Sequence, residues 1–468
     1  MAEGGGSSGT NRRQLLGILG AGTLTALSAA VVATSTAFDD DEPEDDAEDG
    51  TDASPPGDDG DENEDDSPAL LSVDWDASYG DGAAGSFTAA NWTDSGPEFA
   101  GVRLDEDDAG VGWLVEGADP DSETVDRTYI SESNRSNRER DRGYGVHDAI
   151  ELVLPVDDGR LLVGWTHDIS PDSKTPWIRR VDGDGEVVWD AEYPRPAVDS
   201  FRELFLDGVV TDDGGAMLAG VTLGSEFVDM LRGDGWLVKI TADGELEWEQ
   251  TYNTVEETHT NWIEDDRHDR FTTISPIEDG YLLAGTTTLG ENSSVAPSEP
   301  WVVAVDEEGE RRWEAFEDRQ AVEATNKRDR VIQDVVSTED GVLVAGTIGT
   351  HEYDRLFRRN VLRGEGWLGY VEDGSFEWQR RTGDMSIRTI DHVGNGYYVL
   401  TGRREDSAWV GLADTDDGIV DEIRLHEVDG EVLATVHDGG ELVVAGHRDD
   451  ADAPVAFAAG VSVELPDS

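Results

Sequence analysis

Between Leu204 and Tyr252 the chain alternates short apolar runs with polar punctuation. A first run, Leu204 to Val210, leads to Asp213-Gly214. A second, Ala216-Met217-Leu218-Ala219, ends at Gly220. A third, Trp236 to Ile240, meets Asp243-Gly244, and a fourth carries Trp248 and Tyr252. The runs are too short for ordinary helices and are rich in β-branched and aromatic residues. Asp-Gly between two such runs is hairpin chemistry, because tight hairpin turns need positive φ. The stretch predicts four antiparallel strands in succession.

The unit recurs. Apolar runs end at Gly164, Gly220, Gly285, Gly346, Gly402 and Gly446, and a weaker copy, Trp113-Leu114-Val115-Glu116, ends at Gly117. Tryptophans pair in step: Trp177 with Trp189, Trp236 with Trp248, Trp301 with Trp313, Trp367 with Trp378. Four short strands at a period of this length predict an all-β protein, a single β-propeller of four-stranded blades. A blade cannot bury both faces alone, so the tryptophans are expected between blades. The count is seven, or six if the segment 81–143 is not a blade. Phe99–Gly117 is expected to supply the first two strands of an irregular first blade, with later strands inside Val125–Ser133. The segment around Trp75 and Tyr79 reads as a fourth strand with no first three before it, and the last blade lacks its fourth. The N-terminal strand is therefore expected to close the ring.

Turn lengths separate two faces. Asp158-Gly159, Asp213-Gly214, Asp279-Gly280, Asn395-Gly396, Asp184-Gly185, Asp243-Gly244 and Asp373-Gly374 are tight. Val221–Gly235, Thr286–Pro300, Thr347–Gly366, Asn253–Arg270 and Arg319–Arg330 are long and irregular, and loops of that kind carry function. Asp182-Gly183-Asp184-Gly185-Glu186 is too short for a calcium loop and sits where a hairpin turn is required.

The repeated tryptophan, Asp-Gly, tryptophan and tyrosine pattern after a Gly-terminated apolar run resembles secreted bacterial and archaeal β-propeller repeat proteins over roughly residues 70–465. It is more distantly similar to the pyrroloquinoline-quinone-type repeat. Quinone enzymes of that type imply a dedicated cofactor site with a metal ion, and no stretch here matches one residue by residue. The resemblance bears on fold far more than on function.

Composition changes the picture at the N-terminus and at the surface. Asn11-Arg12-Arg13-Gln14-Leu15-Leu16 precedes an apolar stretch reaching Ala37 and resembles a twin-arginine export signal. Residues 1–38 are read as that signal or as a membrane anchor, 39–68 as an acidic disordered linker, and 69–465 as the propeller. The chain has no cysteine, which excludes disulfides, thiol chemistry and thiolate metal sites. It has 105 acidic residues against 35 basic ones and a formal charge of −70. Such a chain repels itself unless salt shortens the Debye length, to about 3 Å at molar concentration. Abundant Asp and Glu beside only Lys174, Lys239 and Lys327 resembles proteins of extreme halophiles. The charge also argues against nucleic acid as a partner.

Arginine is scarce yet gathers in the long connections. Arg142, Arg270 and Arg330 stand just before expected innermost strands, with His268 and Asp269 beside Arg270. These five form the candidate ligand site. Forked guanidinium donors suit an anion or a sugar acid, and Arg–Asp pairs that lock loops together are the structural alternative. No cofactor is expected, and a structural or bound cation at the channel stays open. No Ser–His–acid motif and no phosphate-binding glycine loop occurs. No catalytic constellation is recognisable, so the function expected is a non-catalytic binding or scaffold propeller at the cell surface, for an extracellular glycan, peptide or envelope protein. The alternative is a polysaccharide-acting hydrolase or lyase, or a quinone-linked dehydrogenase, with its site at the channel mouth. A monomer is expected, and attachment to a membrane through the N-terminus stays open.

Export supplies the first test. Replacing Arg12 and Arg13 together by Lys should leave precursor inside the cell, measured by fractionation and immunoblot. Unchanged secretion would refute the twin-arginine reading.

Overall fold

The computed structural model describes residues 70–465 apart from 94, 107–108, 118–123, 131–146, 168–173, 194–202, 224–232, 255–268, 288–297, 317–327, 339–340, 355–358, 415–417, 439–440 and 451–452. Contacts divide the chain into Met1–Asp66 and Ser67–Ser468, and all that follows concerns the second unit.

Strand β1 is Leu71–Ser78. Blade one holds β2 (Gly85–Thr93), β3 (Gly96–Leu104), β4 (Gly110–Glu116) and β5 (Val125–Tyr129). Blade two holds β6 (His147–Val156), β7 (Gly159–His167), β8 (Lys174–Asp182) and β9 (Val187–Glu192). Blade three holds β10 (Leu204–Val210), β11 (Ala216–Leu223), β12 (Gly233–Ile240) and β13 (Leu246–Tyr252). Blade four holds β14 (Arg270–Ile277), β15 (Gly280–Thr287), β16 (Glu299–Val305) and β17 (Arg311–Phe316). Blade five holds β18 (Asp329–Ser337), β19 (Val342–Asp354), β20 (Arg359–Glu372) and β21 (Ser375–Gly383). Blade six holds β22 (Met385–Gly394), β23 (Tyr397–Arg404), β24 (Ser407–Asp414) and the first part of β25 (Gly418–Asp438). Blade seven holds the rest of β25, then β26 (Glu441–Asp450), β27 (Ala453–Val463) and β1. The last two blades read as one seven-stranded sheet because β25 runs through both.

The blade count is seven, and the N-terminal strand closes the ring as expected. Leu71 to Ser78 pair antiparallel with Val463 to Phe457. The Asp421 carboxylate accepts from the backbone N–H of Leu70 (2.7 Å) and Leu71 (2.9 Å), fixing the start of that strand to blade six.

Seven apolar clusters explain the ring. Each joins two neighbouring blades, from Phe87 and Trp113 against Ala445 and Ala458 at the closure, to Ile332 and Trp367 against Leu282 and Val302 between blades four and five. The tryptophans fall where expected. Trp236, Trp301 and Trp409 are buried, and their Nε1 groups donate to Glu249, Glu314 and Glu422 on the adjacent outer strand. A second lock joins blades at their edges. The hydroxyls of Tyr193 and Tyr252 donate to the Gly244 and Gly309 carbonyls in the outer turn of the next blade.

The recurring glycine has a steric cause. In every blade the innermost strand carries a β-bulge, and the residue just before it pairs with that glycine: Phe205 with Gly220, Phe271 with Gly285, Ile332 with Gly346. A Cβ at Gly220 would overlap the Leu204 carbonyl.

Two expectations are corrected. Blade one begins at β2, not at Phe99; Phe99 lies on its second strand, and its anchor is Gly101, which pairs with Phe87. Gly117 follows its third strand. Thr347–Gly366 is not an irregular loop, since β19 and β20 stay paired from Val342–Val371 out to Asp354–Arg359. The second-to-third connection of blade six is a tight turn at Glu405, with φ 54°.

The glycine gives the second test. Gly220→Ala should lower stability by about 1–3 kcal/mol through overpacking, measured by thermal melting at fixed salt. Gly183→Ala, whose Cβ would meet nothing within 4 Å, should leave the melting point unchanged.

Candidate functional site

The first strand of each blade packs on the first strand of the next, so seven innermost strands surround the axis. A bulge adds a residue and re-aims the side chains around it. In the innermost strands the bulged residues are Thr88, Glu151, Leu206, Thr272, Gln333, Arg388 and Leu433. Thr88 Oγ1 donates to the Ile150 carbonyl (2.7 Å), and Thr272 makes the matching bond to Ile332. Arg388 reaches Gln333 on one side (3.3 Å) and Glu431 on the other.

Directly after the bulge stand Asp207 in blade three, Thr273 in blade four and Asp334 in blade five. Asp207 Oδ2 accepts from the Ile274 N–H (2.8 Å) and from Thr273 Oγ1 (2.9 Å), and its Oδ1 accepts from Gly208 N–H (2.8 Å). Asp334 Oδ2 accepts from the Ile390 N–H of blade six (2.9 Å). Its Oδ1 accepts from Val335 N–H (2.8 Å) and lies 3.4 Å from the same Thr273 hydroxyl. One hydroxyl thus sits between two carboxylates. Both keep some exposed surface along the axis while protein surrounds them, so the charged form is poorly solvated. Burial pushes Asp207 up to about 6, against three hydrogen bonds that favour its charge. Burial pushes Asp334 up to about 8, and the charge of Asp207 adds to the rise. Between those two values the pair holds one proton, which belongs to the pair as a whole. Nearer the tight-turn end, burial also raises Asp391, opposed by His437 and His392; His437 Nε2 lies 3.6 Å away.

Toward the other end the axis is lined by ion pairs. Glu431 is buried and accepts from Arg363 (2.7 Å) and from Arg388. Arg363 lies on β20 of blade five, so its bond to blade seven passes over blade six. Arg270, first residue of β14, faces the Asp329 carboxylate and feels the like charge of Arg388. Burial lowers its pKa, and its buried Nε meets no acceptor.

The five residues expected from sequence are only partly gathered. Arg142 and His268 lie outside the described residues. Asp269 is buried beside blade three, its Oδ2 accepting from Thr254 N–H (3.2 Å) and its own N–H donating to Gly233 (2.7 Å). Arg270 lies within reach of charges on blades five and six, Asp329 and Arg388. Arg330 borders a separate groove of about 390 Å³ with Trp367, Phe376 and Trp378. Sequence reasoning missed Asp207, Thr273, Asp334, Arg388 and Glu431. The available signal was a charged residue inside an otherwise apolar innermost strand, as in Phe205-Leu206-Asp207 and Ile332-Gln333-Asp334. Among the described residues no three His, Asp or Glu side chains converge as a metal site.

No protein-family model matches the chain, and no curated protein matches it in sequence. Solved structures do resemble it in fold. A polysaccharide lyase, Uly1, is similar with a TM-score of 0.46 and 10% identity over 81% of this chain and 90% of that one. The β-propeller domain of the Trilobed protease from Pyrococcus furiosus gives 0.43 and 8% over 82% of this chain and 96% of that one. A Trypanosoma rangeli sialidase gives 0.40 and 8% over 66% of this chain and 53% of that one. The expectation of a non-catalytic binding or scaffold propeller is not carried forward: these neighbours are enzymes or part of one, and none is a non-catalytic propeller. At such identities the likeness establishes the all-β, multi-bladed fold alone, so the choice of reaction rests on this chain's own side chains.

The raised aspartates make stability depend on pH. A carboxyl whose folded pKa exceeds its unfolded value of 3.8 holds its proton more tightly when folded. Its contribution is complete below the unfolded value and is lost as pH rises through the folded one. Asp334 should therefore weaken the fold between pH about 4 and about 8, and Asp207 between about 4 and about 6. Asp334→Asn should flatten the upper part of that decline in chemical-denaturation curves across pH. A decline of unchanged slope between pH 6 and 8 would show that Asp334 does not titrate there.

Proposed function

We propose that the chain is an exported, polysaccharide-acting hydrolase whose acid and base are Asp334 and Asp207. The observation that carries this reading is the carboxylate pair itself: two aspartates on separate blades share one hydroxyl, with values near 8 and 6. Environments that push two carboxyls apart assign an acid and a base, and glycosidic cleavage uses such a pair. Protonated Asp334 gives its proton to the departing glycosidic oxygen. Ionised Asp207 takes a proton from the attacking water. The backbone N–H groups of Ile274 and Ile390 hold both carboxyls in place.

Supporting features come from the sequence. The paired Arg12 and Arg13 before an apolar stretch support export by the twin-arginine route, with cleavage or retention as an anchor both open. The excess of acid with almost no lysine supports a haloarchaeal-type, salt-adapted surface protein. The partner in this reading is an extracellular polysaccharide and the working unit is one chain.

The test is cleavage of a polysaccharide panel in molar salt, read as new reducing ends. Activity should be greatest between pH about 6 and 8, where the pair holds one proton. Asp334→Asn and Asp207→Asn should each lower kcat by about a hundredfold or more. Wild-type rates in both variants would refute the assignment. Products absorbing as unsaturated sugars would show that the base takes a carbon-bound proton, making the enzyme a lyase.

A further inference from the structure

We infer that Arg270 is a carboxylate-binding subsite, so that the polysaccharide cleaved is a uronic-acid polymer. This rests on the reading of Asp334 and Asp207 as the cleaving pair. Arg270 opens strand β14, three residues before Thr273, on the side of the axis where the long connections lie. At about 3.3 Å per residue, and less across the bulge at Thr272, the two backbone positions lie at most about 10 Å apart along the strand, so Arg270 stands beside the bond being cleaved and not at it.

Its surroundings fit a ligand better than a fold. Among the described residues, two other arginines near the axis are satisfied within the protein: Arg388 by Gln333 and Glu431, Arg363 by Glu431. Arg270 keeps a buried Nε with no acceptor, although Asp329 lies close enough to favour its charge. A like charge, Arg388, stands against it. An unsatisfied buried donor beside a like charge weakens a fold, and an incoming anion would relieve both costs. The fork of Nε and one Nη matches the two oxygens of a planar carboxylate. In a chain of formal charge −70, a half-buried cation also offers an acidic sugar a contact that the acidic surface does not. The contact is short-range, so added salt weakens it less than it weakens surface attraction.

Binding is measured by calorimetry in molar potassium chloride on Asp334→Asn, so that no cleavage is needed. The probes are polygalacturonate, the same polymer with its carboxyls reduced to alcohols, and dextran sulfate. Polygalacturonate should bind, and the reduced polymer about tenfold to a hundredfold more weakly, the range for a hydrogen bond to a charged group. Adding Arg270→Gln should weaken polygalacturonate to the level of the reduced polymer, and Arg270→Lys should restore only part of it. Arg270→Gln should melt no lower than its parent, since the Nε–H that it removes is unsatisfied in the free protein. Equal binding of the native and reduced polymers, an undiminished affinity in Arg270→Gln, or a preference for dextran sulfate would each overturn the subsite. If Asp334→Asn cleaves like the wild type, the cleaving pair is wrong instead; the binding results with the three probes still decide on Arg270.

Discussion

A four-stranded sheet with two apolar faces cannot fold alone, and everything in this protein follows from having to cover both. Each of the seven principal clusters belongs to two blades. The ring must therefore close, and the joint is where covalent continuity is missing. Leu71 joins the cluster between blades six and seven, while Trp75 and Tyr79 pack into the one between blades seven and one. The Asp421 carboxylate holds the backbone that leads into this strand. An edge that would otherwise expose unpaired N–H and C=O groups is thereby paired with β27.

Close packing around an axis also explains the bulges. Seven strands converge, and a regular strand would send its side chains only toward the two neighbouring blades. The extra residue turns positions such as Arg388 and Gln333 toward one another. The glycine opposite lets the distorted strand approach its partner without a clash. Asp207 and Asp334 then act in two ways. Each carboxylate bonds to the backbone of the next blade, which ties the ring together. The same burial that makes those bonds strong raises the cost of charge, and proton affinity rises with it.

The fold was legible because the packing problem repeats. The anchor glycine, the Asp-Gly turns and the tryptophans recur wherever the same contacts recur. Blade one was misread because Gly101 lacks the Asp-Gly turn before it, while Trp113 to Gly117 imitates the anchor run from a third strand. The ribbon of β19 and β20 was misread because its far end is charged and carries no strand-like alternation. The axial pair was illegible for a different reason. Asp207 and Asp334 lie far apart in the chain and meet only through Thr273, so no spacing announces them. Among the residues chosen from sequence, Arg270 and Arg330 both precede innermost strands, yet they face different surroundings. Arg330 lies one residue further from its anchor pair, and alternation sends it to the opposite side of its sheet.

Charge has different consequences at the surface and at the axis. Most of the 105 acidic residues can face solvent, where ions screen them. Glu98 and Glu431 cannot, and both are buried against arginine: Glu98 beside Arg160, Glu431 between Arg363 and Arg388. Removing one partner of such a pair leaves a buried charge uncompensated, so these interior arginines are constrained by the fold. That constraint leaves few cations available for a ligand. Arg270 is close to the axis, half-buried, and not committed to an acceptor through its buried Nε. In an acidic protein, selectivity for an anion would have to come from such a position, because the surrounding surface repels anions.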